Sequence, residues 1–292
     1  MRASGWLALV ATVGWASSSV GLGAQQVSYS GVLSYSAGSY IFDTRSDAFF
    51  FSNSLRVGGD RFDVSLSVPV VVQNGGVVTT VAEGVRLPTG GSESGVVAGR
   101  RSGSSIGTRG RGGGSGTVIP ADSTVSFDDS FSTNVGDPTV GASAEVYRGF
   151  GAVRSVRLSG IAKIPLTDLD SGVGSGEWDY ALGGTLTGGA ASFLFFASGS
   201  YWWLGDLPDL ELADALSYAF GVSRAAFGGD GSVLVTLSGL SRAIASAEPP
   251  VSTGVSVSHS VGSRGFLSAG VGVGLTESAS SFSATLGWSI RR

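Results

Sequence analysis

The last strand-length stretch of the chain alternates residue by residue: Phe282, Ala284, Leu286, Trp288 and Ile290 interleave with Ser281, Ser283, Thr285, Gly287 and Ser289. A repeat of two is the side-chain period of a β-strand whose two faces meet different surroundings. The same alternation recurs along the chain, with Ser, Gly and Thr rather than charged residues as the polar partners. Apolar residues on one face and small polar ones on the other suit lipid outside and a lumen inside. The expected fold is therefore all-β, a transmembrane antiparallel up-and-down β-barrel.

Composition narrows the alternatives. Only 14% of the residues are charged, against roughly 25% in soluble domains. Lys and Arg number 18 and Asp and Glu 22, so no basic face for nucleic acid is implied. The absence of cysteine excludes disulfides, thiolate metal sites, a cysteine nucleophile and a lipidated N-terminal cysteine. A soluble β-sandwich would also alternate, but it fits the low charge and the loop pattern less well.

Arg2, the uncharged run Trp6 to Val13 and the small residues from Ser17 to Ala24 have the order of a secretory signal peptide. Residues 1–24 are expected to be removed near Ala24, leaving 25–292 as one barrel. The competing reading is an uncleaved helical anchor, since Ala3 to Ala24 carries no charge; its Gly and Ser content argues against it. An exported apolar chain with no later helical span points to the outer membrane of a bacterium with two membranes.

Twelve segments have strand patterning: Tyr29–Ile41, Ala48–Val57, Phe62–Val72, Gly136–Tyr147, Val153–Leu166, Glu177–Thr187, Ala191–Leu204, Asp214–Phe227, Ser232–Ser241, Ser252–Val261, Phe266–Thr276 and Ser281–Ile290. About 12 strands, an even number, suits a bacterial barrel with both termini periplasmic. Tight turns are expected at Gly58–Arg61, Arg148–Ala152, Gly188–Ala190, Gly228–Gly231 and Gly262–Gly265. The alternate connections run longer, and 73–135 is read as a long extracellular loop, partly flexible, with Val77–Val85 a candidate for folding toward the lumen. Its Arg86, Arg100, Arg101, Arg109 and Arg111 form a basic cluster. Deleting Ser92 to Gly116 is expected to leave assembly intact, because loop length changes closure entropy only slowly.

Periodicity also assigns faces. Phe193, Phe195, Ala197, Tyr201 and Trp203, and on the next strand Leu216, Tyr218, Phe220 and Val222, are expected to face lipid. Trp178, Tyr180, Trp203 and Tyr218 then fall at the loop ends as an aromatic girdle. Inward positions carry the lumen and constriction candidates Arg56, Asp63, Glu145, Arg157, Lys163, Glu177 and Asp179. Arg56 with Asp63, and Glu145 with Arg157, sit at matching distances from their turns, which predicts cross-strand pairs. The plainer reading is that these charges neutralise one another in a wet interior. The second half offers Ser256, Ser258, Ser260, Ser268, Gly270, Gly272, Gly274, Ser283 and Gly287, leaving volume for solute, water or an inserted loop.

Catalytic signals are weak. His259 is the single histidine and falls on the lipid face, while its neighbour Ser260 points the other way. The loop carrying Asp206, Asp209, Glu211 and Asp214 reads as a solvated mouth rather than a cation site. No GK[ST] phosphate loop is present, which excludes nucleotide-driven transport. No cofactor and no metal are expected, and the chain does not read as an enzyme.

The stretches LSVPVVVQNG after a GGDRF turn, GSGEWDYALGGTL, YWWLGDLPDLELADALSYAFGV and the ending SATLGWSIRR resemble outer-membrane proteins labelled as transporters of a phenol-degradation pathway. The resemblance runs from about Phe49 onward except for the long loop, and it implies a barrel of about this size without a catalytic motif to transfer. Outer-membrane strands commonly end on an aromatic residue, whereas here Arg291 and Arg292 follow the last apolar position. Recognition by the barrel-assembly machinery is thus expected to rest on Trp288 and Ile290. The function expected is an outer-membrane passive channel for small, weakly polar or hydrophobic compounds, with membrane lipid and the solute as partners. The rival is a structural or surface-interaction barrel with a plugged lumen and a partner-binding long loop.

Overall fold

The computed structural model describes residues 26–40, 45–59, 61–74, 79–81, 85–87, 131–167, 175–206, 212–245 and 247–292. The expected signal peptide and most of the long loop, with its Arg100, Arg101, Arg109 and Arg111, lie outside the described residues. The strands in chain order are β1 (Gln26–Gly38), β2 (Ser46–Gly58), β3 (Phe62–Asn74), β4 (Thr79–Val81), β5 (Val85–Leu87), β6 (Phe131–Val135), β7 (Thr139–Arg148) and β8 (Val153–Lys163). They continue with β9 (Asp179–Ala190), β10 (Phe193–Trp203), β11 (Ala215–Ala226), β12 (Gly231–Leu240), β13 (Val251–Val261), β14 (Gly265–Gly274) and β15 (Phe282–Arg291).

Each barrel strand pairs antiparallel with its neighbours, and β1 pairs with β15 from Ser28↔Arg291 to Ala37↔Phe282, which closes the sheet. Closure matters because lipid offers no partner to a free backbone N–H or C=O. The barrel has twelve staves, as the alternation predicts, but one of them is interrupted. β3 pairs with β7 over Phe62–Ser67 and with β6 over Val70–Asn74, leaving Val68 and Pro69 outside either ladder. A residue in an antiparallel strand aims its N–H and C=O at the same neighbour. Gly136 N donates to Pro69 O at 2.8 Å, so the donor that proline lacks is missing on that same side. The facing strand bulges there through Gly136, Asp137 and Pro138 and resumes as β7. The sequence pattern ran Gly136 straight into a strand and missed both the bulge and β6. β4 and β5 form a separate two-stranded hairpin.

Short and long connections alternate. The short ones, at 59–61, 149–152, 191–192, 227–230 and 262–264, define a turn side, and the others a loop side. The third turn differs from expectation: Gly188–Ala190 stay in β9, with Ala190 opposite Phe193, and the reversal falls on Ala191 with φ 51°. At the fourth, Gly228 and Gly229 take φ 70° and 106°, the left-handed region where a side chain is penalised.

Large apolar side chains project outward around the wall, among them Leu66, Leu182, Phe220, Val271, Leu286 and Ile290. A surface this apolar is covered by lipid rather than water. The glycines at inner and outer contacts are filled by neighbours: Trp288 lies across Gly31, where an added Cβ would meet its ring at 2.2 Å, and stacks on Phe51 at 5.8 Å. Toward the loop side the outer aromatics gather as the girdle predicts. Trp178 stacks on Tyr180 at 5.8 Å, Tyr201 meets Trp203 edge-on at 5.1 Å, and Tyr35 packs on Phe49 at 5.0 Å.

Candidate functional site: the barrel lumen

The inward positions enclose a cavity of about 870 Å³. Hydroxyls dominate its wall, from Ser34 and Ser52 through Ser65, Thr139, Thr185 and Ser198 to Ser283 and Thr285. Alternation explains this directly, since the residues between them along each strand are the apolar ones turned to lipid. Hydroxyls donate and accept, so this middle zone can satisfy a polar solute or water without favouring either sign of charge.

The charged candidates divide between the two ends. On the turn side, Arg56 Nε lies 3.3 Å from Asp63 Oδ1. The register sets Arg56 opposite Ser65 and Asp63 opposite Gly58, so the pair is diagonal rather than directly opposed. Arg157 reaches the other oxygen of Asp63. Ser143 stands between the two, donating to Asp63 at 2.9 Å and accepting from Arg157 at 2.8 Å. Asp63 is thus shared by two guanidiniums. The register does place Glu145 opposite Arg157, yet the expected ion pair does not form. A bulge between Glu145 and Tyr147 shifts the chain, and Glu145 pairs with Arg148 at 2.5 Å, freeing Arg157 to cross β7 to Asp63.

Six residues further along β8, about 20 Å away at strand rise, Lys163 sits on the loop side. Its ammonium is 2.7 Å from Asp179 Oδ2 and 3.7 Å from Asp137 Oδ2, with side-chain exposures of 7%, 1% and 2% for the three residues. Ser175 completes the contact to the lysine. Asp179 also accepts from Gly205 N at 2.9 Å. Asp137 Oδ1 takes Leu166 N, Thr167 N and Thr167 Oγ1 at 2.9, 2.9 and 2.6 Å. One cation between two buried carboxylates, each with one oxygen hydrogen-bonded, ties the β6–β7 bulge to the starts of two connections. The Glu177 side chain joins neither cluster: it is exposed in the connection before β9 and lies against Gly205, while its backbone N–H donates to Ser175 Oγ at 3.4 Å.

Sequence reasoning missed Asp137, whose Gly136-Asp137-Pro138 setting was itself a breaker signal. It also missed what fills the mouth. Trp202, Ala181, Ala215 and Leu240, on the inner face of their strands, are buried with Leu212 of the β10–β11 connection and Ala243, Ile244 and Ala247 of the β12–β13 connection. Ala213 N donates to Ala243 O at 2.9 Å, joining the two connections, and Trp202 Nε1 donates to Ser217 at 3.1 Å. These segments fold into the loop-side opening and make an apolar cluster inside it. Outside the mouth, hydrogen bonds to Tyr35 and Asp47 hold Arg45 above its ordinary pKa, so it remains cationic throughout. His259 lies on the outer face against Phe227 at 5.9 Å. Among the described residues no group of three or more His, Cys, Asp and Glu could hold a metal ion.

No family model matches the chain, and no curated protein matches it. Solved structures do. An outer membrane channel from Pseudomonas putida F1 superposes with a TM-score of 0.57 at 12% identity, covering 94% of this chain and 97% of that one. The KdgM porin superposes at 0.45, with 9% identity over 91% and 98% of the two chains. Outer membrane phospholipase A from Escherichia coli gives 0.41, with 12% identity over 90% and 89%. The first of these shows that the architecture built up above is a fold shared with that outer membrane channel.

Proposed function

We propose that this protein is an outer-membrane passive channel for small, weakly polar or hydrophobic compounds, with its turn side and both termini periplasmic. The observation that carries the proposal is the hydroxyl-lined cavity of about 870 Å³ inside a closed barrel with an apolar outer wall. Solute would move down its gradient through the middle zone. The Arg56–Asp63–Arg157 cluster and the Lys163–Asp179 pair would narrow and charge the two ends. The P. putida likeness supports the channel reading at the level of fold, and the resemblance to phenol-pathway transporters supports the solute class. Purified barrel in liposomes should swell in isotonic solutions of small neutral solutes and show single-channel conductance; an impermeable, silent barrel would reject it.

One observation favours the rival, a structural or surface-interaction barrel. The apolar cluster of Trp202, Leu212, Ile244 and Ala247 occupies part of the loop-side mouth. Removing residues 242–249 separates the two: a large rise in swelling rate from near zero would mean that the intact lumen is plugged.

A further inference from the structure

Beyond the Arg148 that pairs with Glu145, the turn-side mouth carries a further inward charge that the lumen candidates do not include. Ser28 of β1 pairs with Arg56 of β2 on one side and with Arg291 of β15 on the other. Residues directly opposed in a sheet project to the same face. Alternation from the cavity-lining Val32, Ser54 and Ser283 puts Ser28, Arg56 and Arg291 on the inner face. The two guanidiniums therefore stand at one height across a single intervening strand, with backbones roughly 10 Å apart. A serine between them leaves that gap open. Arg157, inward by the same alternation from Ser159 and Ile161, completes a third position.

Asp63 is the carboxylate shared by Arg56 and Arg157, and Arg291 makes no ion pair among the described residues. Three guanidiniums against one carboxylate leave two positive charges. Glu145 does not offset them, because Arg148 already pairs with it. The surroundings reinforce the sign: among the described residues Arg61, Arg154, Arg264 and Arg292 lie near the turn-side rim against Asp230, and the sequence adds one further acid there, Asp60. Guanidinium groups converging from separate strands match the geometry of an oxyanion, which accepts paired N–H bonds.

We propose that Arg56, Arg157 and Arg291 form an oxyanion-binding ring at the turn-side mouth of the lumen, taking the carboxylate or phosphate group of a small, otherwise weakly polar solute. This deepens the channel reading and rests on it for the solute's route, but the ring binds whether or not solute passes through.

Titration calorimetry of the full barrel in zwitterionic detergent, with inorganic phosphate at constant ionic strength, tests it. Wild type should bind phosphate saturably at one site per chain. R56Q and R291Q should each weaken binding by about tenfold or more, and R291K should fall between, keeping charge without the fork. R224Q is the control, since Arg224 lies on the outer face over the Phe193 ring at 5.7 Å, and it should bind like wild type. Heat-modifiable mobility reports whether each variant is folded, and the conservative R291K keeps the test open if R56Q is not. No saturable binding by wild type, or equal weakening by R224Q and the ring variants, overturns the ring. Binding by a barrel that does not conduct would leave the ring standing and reject the channel reading. Conduction without binding would do the reverse.

Discussion

Two walls of the same barrel are built on different terms. β12 to β15 pair in unbroken register, and their inner face is mostly Ser, Thr and Gly, with Leu240 at the loop-side end and the single charge Arg291 at the turn-side end. β2, β3, β7, β8 and β9 carry most of the inward charges, and along that wall the ladder breaks at Pro69, bulges at Glu145–Tyr147 and bulges again at Val153–Ser155. The coincidence has a physical cause. A small hydroxyl is satisfied by its own neighbourhood, as Ser232 and Ser258 satisfy each other at 2.8 Å, so a regular ladder suffices. A buried charge must find a partner, and bulges re-aim side chains until one is reached. The charged wall is thus specified by tertiary contacts, and the bare wall by local pattern alone.

The largest effect separating the walls is expected at Lys163. K163M would remove the cation between Asp137 and Asp179, whose facing oxygens have no hydrogen-bond partner among the described atoms. Stranding two carboxylates at 1–2% side-chain exposure should cost on the order of 3 to 5 kcal/mol, read as a lower urea midpoint of refolded barrel. The triple change K163M/D137N/D179N should recover much of that loss. A K163M midpoint equal to wild type would mean that water reaches the cluster and that the two walls do not differ as argued.

On the bare wall the corresponding damage is steric and smaller. G270V places a branched side chain where a Cβ already meets Ser256 Cβ at 2.9 Å, Thr285 Oγ1 at 3.0 Å and Val255 O at 3.2 Å. Overpacking of that kind costs about 1 to 3 kcal/mol, and it narrows the lumen. The same denaturant series should place G270V between K163M and wild type, with slower liposome swelling for larger solutes. Swelling unchanged across solute sizes would show that this wall does not line the path.

What was legible in the sequence follows the same division. The twelve staves, the alternation of short turns with long loops and the outer aromatic girdle were readable, because a period of two and glycine-rich reversals are local signals. The break opposite Pro69 was not. Its proline, Pro69, and the Gly136-Asp137-Pro138 cluster lie far apart along the chain, and their meaning depends on being neighbours in space. The pairing of Arg56 with Asp63 was readable from parity and distance to the turn, but the partners of Arg157, Lys163 and Asp179 were not. Counting from the shared turn paired Arg157 with Glu145, whereas one bulged residue sent it to Asp63 instead. The apolar cluster in the mouth was hidden for another reason: Ala243, Ile244 and Ala247 lie in a connection with no periodicity, so only their burial reveals them.

The smallest expected change in stability carries the most information about function. Arg157 has a side-chain exposure of 29% and shares Asp63 with Arg56 and Ser143. R157A would therefore leave Asp63 with a cation and a hydroxyl donor, and the unfolding free energy read from the urea midpoint should fall by no more than about 1 kcal/mol. Selectivity should move much further. With Arg157 gone, the shared carboxylate is balanced by one guanidinium instead of two, so reversal potentials in a salt gradient should shift toward cations. R157E should shift them again in the same direction. A large loss of stability in R157A would place Arg157 in a dry interior like that of Lys163 and erase the distinction between a wet turn-side mouth and a closed loop-side cluster. Unchanged selectivity in a barrel that conducts would remove Arg157 from the path of the ions, and the face assigned to β8 would then have to be given up.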